Sequence, residues 1–269
     1  MPTSHTPSPT ASITPQVTLP VTPPITPPIT QPLSTTPSGR PASRRPWHIL
    51  GTLIITDVVL TFLGAGLDHG APTLGAGQQE VVDHFVGVPV GTEIAGGFIE
   101  FVGVLVFLGW ALLLARLLRR GGRGGGELTG WLSAAIAATA IIDCALVLGS
   151  LAVEVAATYD GHQGAGWQLL GVVNDGADVA YFASLGVRGV FLGCVAVAGL
   201  VTRALPAWLC WLGVVLGVAG FVSPLGAAAG AHQLVFLAGT IWSIALAVVA
   251  LTRRRPAEHP ADSAAPALI

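Results

Sequence analysis

The sequence contains no lysine: all twelve of its basic residues are arginines. That absence removes whole classes of chemistry, because a Walker-type phosphate loop needs a Lys before its Ser or Thr and a pyridoxal Schiff base needs a Lys amine. The glycine run from Gly121 to Gly126 is therefore a flexible basic loop and not a phosphate cradle. Charge of either sign is scarce, at 10% of residues, while 52% are hydrophobic and mean hydropathy is +0.72. An ordinary soluble domain carries roughly 25% charged residues, and a water-soluble surface cannot be assembled from so few. Cysteine is limited to Cys144, Cys194 and Cys210, all within apolar segments and without C-x-x-C spacing. They predict neither a disulfide nor a structural zinc site and read as small buried hydrophobes. No H-E-x-x-H, no G-x-S-x-G and no glycine fingerprint after a strand occurs, so no enzymatic activity, no cofactor and no nucleic-acid partner is expected.

What the sequence has in abundance is apolar runs of about 20 residues, each long enough at 1.5 Å per residue to cross a hydrocarbon core of ~30 Å. Six are present, at about 48–67, 94–117, 130–155, 177–201, 206–223 and 232–252. The fold class is all-α: a polytopic transmembrane bundle of six spans within residues 47–253, with the lipid bilayer as its surrounding medium. Residues 1–46 are a different material, rich in Thr, Pro and Ser, which cannot bury a core and predicts a disordered cytoplasmic tail. That tail lacks the charged start, apolar centre and small-residue cleavage site of a signal peptide and is expected to be kept; a mis-placed start site is the alternative. Residues 254–269 form a second short cytoplasmic tail. Breakers mark the joints: Gly70 to Pro72 after the first span, Pro206 at the N1 position of the fifth, and Ser223-Pro224 at its end. The stretch Tyr159 to Gly176 reads either as an interfacial turn or as an early start to the fourth span.

Arginine placement gives the orientation, because short arginine-rich loops stay cytoplasmic. Arg40, Arg44 and Arg45 precede the first span, and Arg116, Arg119, Arg120 and Arg123 join the second to the third. Arg203 joins the fourth to the fifth, and Arg253, Arg254 and Arg255 follow the sixth. The opposite loops carry only Asp68, Glu80, Asp83, Glu93, Asp160 and Asp175 as charges. This alternation fits six crossings with both termini in the cytoplasm and would fail for five or seven. Trp47, Trp131, Trp208 and Trp211 fall at predicted cytoplasmic ends as interfacial anchors, whereas Trp242 lies inside a span and reads as packing. Gly189 with Gly193, and Gly213 with Gly217, have the spacing of close helix crossings.

The twelfth arginine, Arg188, lies about 16 Å into the fourth span, near the membrane midplane. Asp57 sits at roughly its level in the first span, with Asp143 in the third and Glu100 in the second a turn or so nearer the outside. A charge at that depth costs about 2.5–3.5 kcal/mol on insertion scales, so each of these four should face a partner or water. At 100° per residue, Asn174, Asp178, Tyr181, Ser184 and Arg188 form one polar stripe. Thr139, Asp143, Ser150 and Glu154 share a face of the third span, and Glu93 and Glu100 share one of the second. Three helices thus present polar faces suited to one outward-opening cleft, whereas spans five and six, without charges, read as supporting helices. The functional expectation is a conduit for protons or a small solute; the structural alternative is an interior ion pair that fixes helix packing. No filter loop, inverted repeat or paired broken helix supports a known transporter plan. A second alternative is a membrane partner or sensor without transport, which uses the tail for contacts or forms a homo-oligomer. The weakest is an outer-face metal enzyme built on His69, His84, His162 and His232, three of which have an aspartate within two residues. The sequence names no ligand.

The run Leu170-Gly-Val-Val-Asn-Asp, followed by a glycine-rich span and by Thr202-Arg-Ala-Leu-Pro-Ala-Trp-Leu-Cys-Trp-Leu-Gly213, resembles the fourth and fifth spans of a large bacterial family of six-helix membrane proteins classed as a domain of unknown function. The likeness extends from about Trp47 to Arg253. It implies the six-helix fold and placement in the bacterial cytoplasmic membrane, and carries over no reaction and no site residues. This chain departs from the family pattern in its long Pro/Thr tail and in Arg188, where an apolar or small polar residue is expected.

Overall fold

The computed structural model describes residues 45–67, 72, 74–121, 126–225 and 231–253. Residues 1–44 of the tail expected at 1–46, the tail at 254–269, residues 122–125 of the glycine run, the breakers Gly70 and Ala71, His69, and the side chain of His232 lie outside the described residues, whereas Arg45 and Pro46 belong to the first helix. Among the described residues there are seven helices: α1 (Arg45–Leu67), α2 (Gln78–Gly87), α3 (Val90–Gly121), α4 (Glu127–His162), α5 (Trp167–Thr202), α6 (Ala207–Val222) and α7 (Ala231–Thr252). All but α2 are long and apolar enough to cross a membrane, and the protein is an all-helical, multi-pass membrane protein. The spans run beyond the expected limits, α4 to His162 and α5 from Trp167, so Tyr159 to Gly176 is an early start to the fourth span after a turn at 163–166. Pro206 is the extended cap residue before α6 and not its first helical residue, a shift of one position. The Ser223–Leu225 segment follows α6 as a 3-10 turn.

The six spanning helices close a ring. In chain order α1 packs on α3, α3 on α4, α4 on α5, α5 on α6, α6 on α7, and α7 returns to α1. Sequence explains the tightest of these contacts. Where α5 crosses α6, a Cβ on Gly217 would stand 2.9 Å from the Gly193 backbone nitrogen, and one on Gly189 would strike the backbone of Phe221 and Gly217. Glycine at Gly189, Gly217 and Gly220 lets the two backbones touch, whereas a Cβ on Gly193 would meet open space; in lipid such contact replaces the missing hydrophobic drive with close van der Waals packing. Gly213 belongs to the same face of α6 but meets Ala196 and Trp242.

Antiparallel neighbours bring the arginine-bearing ends together. Trp47 at the start of α1 stacks under Arg253 at the end of α7, with the guanidinium carbon 4.1 Å from the ring centroid. The Ser133 hydroxyl donates to the Ala115 carbonyl at 3.1 Å, and Gly121 lies against Ala204. At this arginine-rich end the ring is filled by one core that includes Leu50, Ile54, Leu114, Leu118, Ile136, Val195, Leu209 and Leu246. Trp242 is fully buried there and donates its indole N–H to the Leu209 carbonyl at 2.9 Å, which is the packing role read from its position. Trp131, Trp208 and Trp211 are exposed, as interfacial anchors are.

The opposite, acidic end is capped by α2, an element the sequence reading left as loop. Its Val81 and Phe85 pack on Ala157 and Leu170, at the outer ends of α4 and α5. Gly161 has Phe85 so close that an added Cβ would lie 3.1 Å from it. The loop before α2 is tied down as well: the Asn174 amide donates to the Pro72 carbonyl at 3.2 Å, and the Gly75 N–H to an Asp175 carboxylate oxygen at 3.3 Å.

Candidate functional site

Inside the acidic half of the ring lies a cavity of about 690 Å³. Asp57 and Arg188 are the charged groups at its inner end, and Arg188 lies 14 residues or ~21 Å from the arginine-rich end of α5 at a helical rise of 1.5 Å. The same count places Asp57 ~18 Å and Asp143 ~24 Å from that end. All three are at one level in the middle of the bundle, where a lone charge is costly.

Arg188 and Asp143 resolve that cost together. Nε and Nη2 of Arg188 both donate to Oδ2 of Asp143, at 3.0 and 2.9 Å. The guanidinium also lies over the Phe107 ring, 5.1 Å from its centroid, a placement that attracts a cation. The two partners differ in surroundings: the Asp143 side chain is 0% exposed, while that of Arg188 is 32% exposed. Arg188 belongs to the cavity wall, and Asp143 stands behind it, outside the lining. Oδ1 of Asp143 has no hydrogen-bond partner among the described residues.

Asp57 is held differently. Its Oδ2 accepts the Trp110 indole N–H at 2.9 Å. Trp110 in turn sits edge-on to Phe107 and Phe191, with centroids 5.1 and 5.6 Å away. These three rings form the base of the cavity, and the apolar core continues below them. Glu100 lies across α1 at Gly64, where any Cβ would strike its side chain. Higher up, the Ser150 hydroxyl lies 3.2 Å from a Glu154 carboxylate oxygen and 3.1 Å from the Ala177 carbonyl, a contact that joins α4 to α5.

Of the four buried charges singled out in the sequence, Asp57, Glu100 and Arg188 line the cavity, and Asp143 reaches it through Arg188. The stripe residues Asp178, Tyr181, Ser184 and Glu154 all line it. Asn174 does not, since it binds the Pro72 carbonyl at the rim, and the Thr139 hydroxyl donates to its own helix at Ala135. Glu93 is buried beside Glu100 and Glu154 around a separate niche of about 10 Å³.

One expectation needs correction. Spans five and six were expected to be supporting helices, yet α7 contributes Gln233, Phe236, Thr240 and Ser243 to the wall, and α6 contributes Gly220. Ring closure places α7 between α6 and α1, so one of its faces must look inward. Those four residues recur at i, i+3, i+7 and i+10, a helical face hidden from a reading that followed charge alone. Trp110 was missed for a related reason: a tryptophan between Leu108 and Leu112 reads as apolar until its N–H is found on Asp57.

Of the four outer histidines, the structure describes the side chains of His84 and His162, and both lie beside Phe85. His162 places Nδ1 3.2 Å from the Phe85 carbonyl, and the His84 ring lies edge-on to Phe85. No group of three His, Cys, Asp or Glu side chains suited to a metal occurs among the described residues. Cys144 and Cys210 are buried and Cys194 half-buried, all as free thiols. No family model, no curated protein and no solved structure matches this chain.

Proposed function

We propose that the protein resides in the bacterial cytoplasmic membrane with both termini in the cytoplasm, and that its cavity is the solute- or proton-binding station of a conduit. Arginine asymmetry supports the orientation, since the ends that carry arginine come together and the cavity occupies the other half. On that orientation the station faces outward. The observation that carries the reading is Arg188: a guanidinium at mid-membrane depth, fixed by a fully buried carboxylate, is nevertheless one-third exposed to a cavity. An ion pair that serves packing alone needs no opening on a cavity, and taking both charges out of water costs several kcal/mol. Here one side is dry and the other is not, which suits a group that meets a ligand or water. The core below Trp110 closes the path toward the arginine-rich end, so passage requires a rearrangement of the ring and not a continuous pore.

The test is flux in proteoliposomes. Proton flux and solute flux are measured for the parent, for Arg188→Gln, and for the Arg188→Gln/Asp143→Asn pair, in which no unpaired charge is left buried. The proposal expects flux in the parent and its loss in both variants, with the double variant still folded. A folded double variant with parental flux, or a parent without flux of either kind, overturns it.

A further inference from the structure

Toward the arginine-rich end, α6 and α7 are locked together. The Trp242 indole donates to the Leu209 carbonyl at 2.9 Å, and a Cβ on Gly213 would stand 3.1 Å from that indole nitrogen. Outward of this lock the two helices part. Val235, Gly239, Trp242 and Leu246 recur at i, i+4, i+7 and i+11, one face of α7. Trp242 and Leu246 are fully buried on it, whereas Val235 and Gly239 line the cavity. On α6, Gly220 lies as far outward of Gly213 as Val235 does of Trp242, about 10.5 Å along each helix, and Gly220 lines the cavity too. A Cβ added to Gly239 would find only Leu192 Cδ1, 4.0 Å away, among the described residues. The space between α6 and α7 at this level therefore belongs to the cavity. The side chains that flank it outside, Phe221 on α6 and Leu234 and Leu237 on α7, are exposed and apolar, as at a lipid boundary.

We propose that the cavity takes a small, uncharged, lipid-soluble molecule with a hydroxyl or carbonyl head, admitted from the bilayer between α6 and α7, an inference that rests on the binding-station reading above. Neither α6 nor α7 carries an Asp, Glu or Arg, so a charged ligand would cross hydrocarbon and then this gap unpaired, which is costly. Farther in, Arg188 repels a cation, and Asp143 already holds Arg188 against an anion. A neutral head meets neither obstacle. Arg188, one-third exposed, has donors to spare for a ligand oxygen while Nε and Nη2 stay on Asp143. The Thr240 and Ser243 hydroxyls in the same wall donate to the Phe236 and Gly239 carbonyls of their own helix and keep lone pairs for a ligand hydroxyl. Phe236, Val58 and Leu192 offer apolar surface to the body of the molecule. A volume of about 690 Å³ lies within the ~300–1,000 Å³ of pockets that enclose drug-sized molecules.

The experiment uses the full chain in nanodiscs. A Val58→Cys variant reports on the cavity through its reaction with a membrane-impermeant thiol reagent, with the parent as background, since Val58 lines the wall one residue from Asp57. The binding-station reading requires Val58→Cys to react; if it does not, that reading fails and this inference falls with it. Three probes with one alkyl chain and different heads are then compared at known mole fractions in the lipid: 1-decanol, decyltrimethylammonium and decanesulfonate. 1-Decanol is expected to protect Val58→Cys at mole fractions about tenfold or more below either charged probe. Gly239→Leu puts a side chain into the gap and is expected to weaken that protection about tenfold, while the reactivity of Val58→Cys without probe stays within about twofold. Val235→Trp narrows the same gap and takes the place of Gly239→Leu if that variant does not fold. A charged probe that protects as well as 1-decanol, or no protection by any of the three, overturns the uncharged class while leaving the cavity reading in place. Protection by 1-decanol that a folded gap variant leaves unchanged overturns entry between α6 and α7.

Discussion

The two halves of this bundle are built by the same six helices and have opposite interiors. Toward the arginine-rich end, Leu50, Leu114, Ile136, Val195 and Leu246 meet without exposed surface. Toward the acidic end the same helices part around about 690 Å³ lined by carboxylates, hydroxyls and rings. The change falls at the level of Trp110, Phe191 and Arg188. Small residues explain part of the dry half, since Ala111, Ala140, Ala196, Ala247 and Ala250 are all buried there and let helices approach. In the other half, Glu100, Glu154, Tyr181 and Phe182 occupy the corresponding inward positions. Each is bulky and polar or aromatic, and each lines the cavity. Close packing and charge placement are thus alternatives along one helix, and the Arg188–Asp143 pair marks the border between them.

The largest test of that border is Asp143→Asn, which leaves Arg188 without its counter-charge. Breaking a buried pair costs about 3–5 kcal/mol, and exposure of Arg188 to the cavity puts the expected loss near the lower figure, about 3 kcal/mol. Thermal unfolding in detergent should show the loss, and Arg188→Gln/Asp143→Asn should recover most of it. A single variant as stable as the parent would mean that the pair does not hold the border.

A smaller effect compares the halves directly. Leu114→Ala removes side-chain atoms from the filled core and is expected to lower stability by about 2 kcal/mol or more, whereas Leu151→Ala at the cavity wall leaves no new sealed void and should cost about half that or less. Equal losses in the same unfolding assay would make the two interiors alike.

The sequence made one half far more legible than the other. Hydropathy and arginine placement give the six spans, and the polar stripe of α5 leads straight to Asp178, Tyr181, Ser184 and Arg188 because charge in an apolar helix is a strong signal. The ring itself was not legible. Which face of α7 turns inward depends on its return to α1, a contact more than 180 residues apart in the chain, and Gln233, Thr240 and Ser243 carry no charge to reveal it. The lid α2 escaped because ten amphipathic residues between spans look like any polar loop until Phe85 is seated against Gly161. Pairing was ambiguous for the same reason: depth alone placed Asp57 nearest Arg188, but the third helix lies beside the fifth, so Asp143 takes the arginine and Asp57 takes Trp110.

Trp110→Phe gives the smallest expected change. It removes the donor to Asp57 while keeping the ring, and because Asp57 borders the cavity, where water can replace the lost donor, the cost should be about 1 kcal/mol. A loss well beyond that would place Asp57 on the dry side of the border.

The most direct measurement compares two near-isosteric cysteine variants in intact cells, Val58→Cys at the cavity wall and Val195→Cys in the filled core. With a membrane-impermeant thiol reagent added outside, Val58→Cys should be labelled above the parent background and Val195→Cys should not. Labelling of neither or of both, or labelling of Val58→Cys only from the cytoplasmic side of inverted vesicles, would contradict an outward-facing cavity above a dry core.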